Sequence, residues 1–220
     1  MDSFTHIVLG ACIGEAIAGK RIGKKALLLG AIAQSLPDID IIASLWLPVS
    51  GDLLEHRGIT HSLLFVAVVS PLLAWLCGKM FHGPDMTFKR WWLFWGLEIF
   101  IHIFIDAFNA YGTGWFEPFS NYRVSFNTMF VADPLFTIWP AVVSVILLVS
   151  RLQYDKRRVW IAVALLLSSA YLCTGIINKC MINNTVTRDM AQRHIPYKRL
   201  FTSPTPLNNL LWYIIAEQDS

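Results

Sequence analysis

Long apolar runs constrain this chain of 220 residues more than any other feature of its sequence. Four of them approach or exceed the roughly 17–20 residues with which a helix crosses a bilayer: Ser62–Gly78, Trp91–Phe108, Met129–Val149 and Val159–Ile177. Apolar residues make up 55% of the chain and charged residues 15%, against about 45–50% and about 25% in soluble globular proteins. The composition excludes a water-soluble globular domain and a disordered chain, and predicts an integral membrane protein.

Two shorter apolar runs, Phe4–Ala18 and Ala26–Leu36, precede these four, and the second stops at Pro37. Gly10 and Gly14 form a GxxxG pattern, which favours close helix packing. The first run lacks the basic region and cleavage site of a signal peptide, so we expect it to remain. The predicted fold class is all-α: a polytopic integral membrane helical bundle with about four full spans plus two shorter N-terminal helices.

Basic residues in short loops predict the orientation of the bundle, because positive charge stays in the cytoplasm. Alternating the six segments puts loops 20–25, 79–90 and 151–158, with eleven Lys and Arg, on one side. The loops opposite hold only Arg57 and Arg123. This predicts a multi-pass protein of the inner (cytoplasmic) membrane with both termini extracytoplasmic. Residues 1–178 are the predicted membrane-embedded domain. Residues 179–220 are the predicted extracytoplasmic tail, interpreted as the start of a further soluble region or a docking segment.

Composition also excludes two kinds of partner and site. The net charge of +3 is too small to indicate nucleic acid, so none is expected. The four cysteines form no CxxC pair and are interpreted as small hydrophobic residues. Thiolate metal sites and disulfide scaffolds are therefore not predicted.

Ionisable residues within apolar runs are costly, which makes each of them a functional candidate. Glu98, His102 and Asp106 are spaced four residues apart and so share one helix face. A His and an Asp at this spacing can reach one metal ion. The alternative interpretation is a buried polar network that bridges helices.

Further His and Asp residues fall at the extracytoplasmic end of the predicted bundle, whereas Glu15 and Glu98 lie deeper. The predicted metal ligands are His6, Asp38, His56, His61, His102, Asp106 and Asp133. Imidazole and carboxylate without thiolate suit zinc and similar divalent metals. Seven candidates suffice for two ions that share a carboxylate, generate hydroxide near neutral pH and clamp an oxyanion in an in-line displacement.

Neighbouring residues receive supporting roles in this hypothesis. Arg57 is predicted to bind substrate phosphate, as is Arg123, for which headgroup snorkelling is the alternative. Asp40 and His56 are candidates for a catalytic base or an additional ligand. Glu98 is expected to orient His102 as a hydrogen-bond acceptor behind the metal.

An N-terminal His, PDID, HRGITHS, HIFIDAFNAYG and a DP pair follow one another within residues 4–140. This motif order resembles the YdjM-like family of membrane-bound, metal-dependent hydrolases. That family is more remotely similar to zinc-dependent phospholipase C and P1-type nucleases. The resemblance implies one to three divalent ions, zinc foremost, held by His6, Asp38, one of His56 or His61, His102 and Asp106. It also implies hydrolysis of a phosphoester in a lipid or lipid-linked substrate on the extracytoplasmic side.

Three other hypotheses remain beside this one. A membrane lipid phosphatase with a His nucleophile would require a Ser-Gly-His motif, which is absent. A divalent-metal transporter would carry ionisable residues deep in several spans. A metal-stabilised scaffold would hold an ion with no open coordination position.

Overall fold

The chain folds mainly into helices in a computed structural model that describes residues 1–45, 57–81 and 85–218. The α-helices of this part of the chain are α1 (Ser3–Ile22), α2 (Lys25–Ser35), α3 (Leu63–Met80), α4 (Phe88–Asp106), α5 (Pro134–Val149) and α6 (Tyr154–Gln192). The 3-10 helices Pro37–Leu45 and Ile59–His61 lie between α2 and α3. Two antiparallel strands, β1 (Arg199–Pro204) and β2 (Trp212–Glu217), form a hairpin. The predicted helical fold is confirmed, and the hairpin is an addition to it.

The expectation of four full membrane spans is not supported. Within the described residues, only α3 and α6 are long and apolar enough to cross a membrane, judged by length and composition. α5 is apolar but has 16 residues, because it begins only at Pro134. α4 has 19 residues, yet Lys89, Arg90, Glu98 and Asp106 make its full burial in hydrocarbon costly. The structure supports a helical membrane protein with fewer full spans than predicted.

The first two helices pack with their backbones in contact. A Cβ added at Gly14 would overlap the carbonyl oxygen of Ala26, and one added at Gly10 would overlap that of Gly30. Small residues allow helices to approach this closely, so the predicted role of the GxxxG pattern is confirmed. The chain turns at Gly23, whose positive φ of 60° suits glycine. α2 is thereby held against the N-terminal half of α1.

The helix ends that carry the candidate residues meet at one end of the bundle, called here the site end. Asp2, at the start of α1, donates its backbone N–H to the carbonyl of Val131 just before α5 (2.9 Å). Ser3 donates its hydroxyl to Asp38, which follows α2 (3.3 Å). The opposite end, called the basic end, carries Arg21, Lys24, Lys25, Lys79, Lys89, Arg90 and Arg157 at helix termini.

The segment between α4 and α5 packs against the site end. The Trp115 indole donates to the carbonyl of Ile103 (3.1 Å) and stacks on Phe104. The Trp115 carbonyl in turn accepts from the backbone N–H of Leu63, the first residue of α3 (3.0 Å). Residues 107–133 therefore connect the end of α4 with the start of α3, where two candidate ligands lie.

The long helix α6 continues beyond the predicted end of the membrane domain. It runs from Tyr154 through position 178 to Gln192 without interruption. The hairpin packs against it, because Asn178 donates to the carbonyl of Asn209 (2.9 Å) and Lys179 to that of Thr202 (3.0 Å). The division at residue 178 stays a prediction, and the chain there is helical.

Candidate metal centre

Four predicted ligands come together at the site end from three separate parts of the chain. Asp38 lies in the first 3-10 helix, directly after Pro37, the residue at which the helical hydrogen bonding of α2 ends. His61 ends the second 3-10 helix, and His102 and Asp106 share one face of the last turns of α4. One donor atom from each of the four lies within 4.8 Å of all the others. Such a group could hold a metal ion.

The donor atoms of these four residues face a common point. His102 Nε2 is 3.1 Å from His61 Nε2 and 3.4 Å from Asp38 Oδ1. His61 Nε2 is 3.6 Å from Asp38 Oδ1 and 3.4 Å from Asp106 Oδ2. Ligands at about 2.0–2.1 Å in a tetrahedral zinc site are roughly 3.3 Å apart. These four distances are close to that spacing, and His102 Nε2 to Asp106 Oδ2 is longer at 3.9 Å. The group therefore approaches the donor spacing of a small divalent cation.

The other nitrogen of each imidazole is engaged on the side away from that point. His102 Nδ1 donates to the backbone carbonyl of Gln34 (2.5 Å). His61 Nδ1 lies 3.0 Å from the Thr60 hydroxyl and 3.5 Å from Asp40 Oδ2. A proton on each Nδ1 leaves a lone pair on each Nε2, and these lone pairs face each other. Two facing lone pairs are unfavourable unless a cation lies between them. An imidazole that donates from Nδ1 and presents its Nε2 lone pair is the usual form of a metal-bound histidine.

The charge states of two of these groups suit metal binding. Burial alone would raise the pKa of Asp38, but the neighbouring imidazoles of His102 and His61 outweigh it and hold that pKa well below its usual range. Burial lowers the pKa of His61 to about 3. At neutral pH the carboxylate is ionised and the imidazole neutral, as metal ligation requires.

His6 contacts this group without belonging to the set of four. Its Nε2 lies 3.0 Å from Asp106 Oδ1, its Nδ1 is 3.3 Å from the side-chain oxygen of Gln34, and its ring stacks on His102. Asp106 is also contacted by the backbone amine of Met1. The structure thus places His6 beside a predicted ligand, where it holds the Asp106 carboxylate in place.

Arg57 is the nearest cationic side chain and is itself buried. Its Nε is 3.2 Å from Asp106 Oδ2, and its guanidinium lies over the Tyr111 ring with the centroid 5.5 Å away. The backbone of Arg57 has a left-handed φ of 62°, which non-glycine residues seldom adopt. A hydrogen bond from its N–H to Asp40 Oδ2 (2.7 Å) holds this conformation. The guanidinium is therefore positioned rather than mobile.

A cavity of about 340 Å³ adjoins the group, and we call it the arginine cavity. Asp38, Arg57, Tyr111 and Arg123 contribute to its lining. Arg123 approaches Arg57 because its Nη1 donates to the Arg57 carbonyl (3.3 Å). The two arginines predicted to bind phosphate thus line one space beside a predicted metal ligand. Guanidinium groups present paired donors that match phosphate oxygens.

Two predicted residues lie away from the centre. Asp133 caps α5, accepting from the N–H of Leu135 (3.0 Å), and its other oxygen accepts from the Tyr171 hydroxyl (2.7 Å). It is not in the group of four, so its role as a ligand stays a prediction, and the structure shows it as the N-cap of α5. Glu98 is fully buried one turn deeper. The acceptor for His102 Nδ1 is the Gln34 carbonyl, in place of the Glu98 carboxylate.

The structure describes one of the two candidates for a catalytic base. His56 lies outside the described residues. Asp40 accepts from Arg57 N–H and from the Thr60 hydroxyl (3.2 Å) and lies behind His61. The structure therefore assigns Asp40 a position that suits orientation of His61 and Arg57.

Gln34 is the functional residue that sequence reasoning missed. It is buried, its carbonyl accepts from His102, and its side chain faces His6. A polar residue near the end of the otherwise apolar α2, just ahead of Pro37, is the signal that could have identified it. That signal points to the side chain, whereas the contact with His102 uses the backbone.

A family model described as YdjM inner membrane protein matches residues 1–182 of the chain. Inner membrane protein YbcI of Escherichia coli (strain K12) is 34% identical over 121 residues, which cover 54% of this chain and 68% of that protein. Uncharacterized protein YfhP of Bacillus subtilis (strain 168) is 32% identical over 148 residues, 63% of this chain and 43% of that protein. No solved structure matches the chain.

Proposed function

The chain belongs to the YdjM family of inner membrane proteins, and we propose that it is a metal-dependent hydrolase of a phosphoester in a lipid or lipid-linked substrate. The observation that carries the proposal is the convergence of Asp38, His61, His102 and Asp106 beside the arginine cavity. A metal-binding group next to a cationic cavity is the combination that phosphoester hydrolysis uses.

Zinc is the metal we propose, because the donors are two imidazoles and two carboxylates, without a thiolate. A bound divalent ion would supply Lewis acidity and a nucleophile derived from water at neutral pH. The residues of this chain do the remaining work. Asp40 and the Gln34 carbonyl hold the two imidazoles in one tautomer, and His6 holds Asp106.

The two arginines are the proposed phosphate-binding groups. Arg57 is buried and oriented by Asp40 and Asp106, so little side-chain entropy is lost when it binds an anion. Arg123 is partly exposed at the same cavity, where it can meet a substrate first. An anion in this cavity would lie next to Asp38, at the edge of the metal centre.

Membership of an inner membrane family and the distribution of charge support a lipid or lipid-linked substrate at the extracytoplasmic surface. The basic end carries most of the Lys and Arg residues of the bundle and belongs on the cytoplasmic side by the positive-inside rule. The site end would then lie near the outer headgroups. A lipid-linked phosphate reaches that depth without leaving the membrane.

Metal analysis of the detergent-purified protein, with a panel of phospholipid and phosphodiester substrates, tests the proposal. We expect at least one tightly held divalent ion per chain and hydrolysis that a chelator abolishes. Asp38→Ala and His102→Ala should lose the ion and lower kcat/KM by at least a thousandfold. His194→Ala, which changes an exposed histidine outside the centre, is the matched control and should behave as wild type.

The outcomes separate the alternatives. Full metal content and turnover in both centre variants would overturn the ligand assignment. A tightly held ion without turnover of any ester would favour a metal-stabilised scaffold. Metal-dependent uptake by proteoliposomes, also without turnover, would favour a transporter.

A further inference from the structure

An apolar groove of about 610 Å³ follows α1 and α5 from the site end towards the basic end. Its walls come from α1, α2 and α5, and alanines at Ala11, Ala31 and Ala141 give it depth. At the far end, Lys24 reaches across it and donates to the carbonyl of Leu148 (2.7 Å). The groove is therefore open along its length and bounded at the basic end.

A second cavity of about 330 Å³ borders both this groove and the arginine cavity. The second cavity shares Asp2 with the arginine cavity, and shares Phe4, Ala141 and Val142 with the groove. Arg57 and Arg123 stand at one end of this path, Asp2 and Asp133 contribute to the second cavity, and apolar side chains line most of the rest. A ligand that matches the whole path is anionic at one end and apolar along its length.

The length of the path fits a lipid chain. α5 rises about 21 Å between Pro134 and Leu148, at about 1.5 Å per residue. The hydrocarbon of one leaflet is about 15 Å thick, half of the roughly 30 Å of a bilayer. An acyl or prenyl chain that starts at the site end can therefore lie in the groove over the full depth of its leaflet.

We propose that the groove holds the hydrocarbon chain of a lipid whose phosphate occupies the arginine cavity. That the phosphate is hydrolysed rests on the proposed function. The position of the hydrocarbon chain rests on the lining residues that the cavities share. It narrows the substrate class to phosphate lipids with a long chain. A lipid that only solvates the apolar surface of the helices would not be anchored by its headgroup at Arg57 and Arg123. It would show no preference for this groove over others.

Photolabelling tests the position of the chain independently of catalysis. The full-length protein in nanodiscs is exposed to a phosphatidic acid with a diazirine in its acyl chain, and labelled peptides are identified by mass spectrometry. We expect labelling of α1 and α5 that falls at least fivefold in Ala141→Phe, because the ring fills the junction between the second cavity and the groove. Arg123→Ala should also lower it, because the phosphate loses a cation.

Ala67→Phe is the matched control, since Ala67 lines a separate apolar groove between α3 and α4. It should leave the labelling of α1 and α5 unchanged. If Ala141→Phe does not fold, Val142→Trp at the more exposed rim replaces it. Equal labelling of the two grooves, insensitive to both arginine and groove variants, would overturn the inference.

An activity measurement separates this inference from the proposed function. The ratio of kcat/KM for a long-chain phosphate ester to that for a water-soluble aryl phosphodiester should fall at least tenfold in Ala141→Phe and remain unchanged in Ala67→Phe. Specific labelling without turnover of either ester would overturn the hydrolase proposal alone. Turnover with an unchanged ratio and unchanged labelling in Ala141→Phe would overturn the groove alone.

Discussion

A fully buried carboxylate lies at each end of the bundle, Asp106 at the site end and Glu15 at the basic end. Glu15 Oε1 is 2.7 Å from the guanidinium of Arg157, which is itself mostly buried. Asp106 instead lies within 3.4 Å of His6 in α1 and of Arg57 and His61, which precede α3. Glu15 is paired with Arg157, with Lys24 adding positive charge nearby, whereas Asp106 is part of a converging set of donors.

The comparison shows that burial of an acidic residue does not by itself indicate a ligand site. An ion pair with Arg157 accounts for the burial of Glu15 without any ligand. At the site end the distinguishing feature is orientation, because two imidazoles turn their Nε2 atoms toward each other and are bonded behind at Nδ1. Variants at the two ends should therefore affect different properties.

Removing the counter-charge at the basic end should have the largest effect on stability. Arg157→Ala leaves Glu15 buried without its partner, so we expect a loss of about 3–5 kcal/mol in the free energy of unfolding. Denaturation of the detergent-purified protein measures it. The double variant Arg157→Ala/Glu15→Gln should recover most of that loss, and the metal content of folded protein should not change in either. Equal losses in the single and double variants would argue against a simple ion pair.

Removing an orienting group at the site end should affect metal affinity more than stability. Asp40→Ala deletes the acceptor behind His61 and Arg57, and we expect metal affinity to fall about 10–100-fold. Competition with a chelator of known affinity measures this change. Asp155→Ala, at an exposed aspartate of the basic end, is the control and should bind metal as wild type does. An unchanged affinity in Asp40→Ala would remove Asp40 from the centre.

Asp133 tests whether a carboxylate near the site end, yet outside the group of four, acts as a cap. Asp133→Ala removes the N-cap of α5 and the hydrogen bond from Tyr171, and should cost about 0.5–2 kcal/mol of stability. Asp133→Asn retains an acceptor for the Leu135 N–H and should cost less. Isothermal titration with zinc should give the same affinity in both variants. Weaker zinc binding in both variants would indicate that Asp133 is a metal ligand.

Much of the candidate centre could be predicted from the sequence, because its ligands differ so strongly from their surroundings. His102 and Asp106 stand out in an aromatic, apolar helix, and the rule that alternate helix ends share a side predicted Asp38 and His61 near them. Asp133 could not be separated in this way, since an Asp before Pro at a helix start is equally typical of a cap.

Other features depend on packing that a sequence pattern does not express. Every residue has a carbonyl, so nothing in the sequence distinguishes that of Gln34 as the acceptor for His102. The number of spans was overestimated because α4 is rich in Trp and Phe, although Lys89, Arg90 and Glu98 lower its suitability for hydrocarbon. The GxxxG pattern predicted a close contact, and its partner Gly30 became evident only in three dimensions.

X-ray absorption at the zinc edge of the purified, zinc-loaded protein tests the central claim most directly, because it reports the atoms bound to the ion. The account predicts one firmly bound zinc per chain with nitrogen and oxygen neighbours, two imidazoles among them, and no sulfur. One imidazole should be lost from the spectrum of His61→Ala. A sulfur neighbour would contradict the account. A spectrum that shows no imidazole and does not change in His61→Ala would also contradict it.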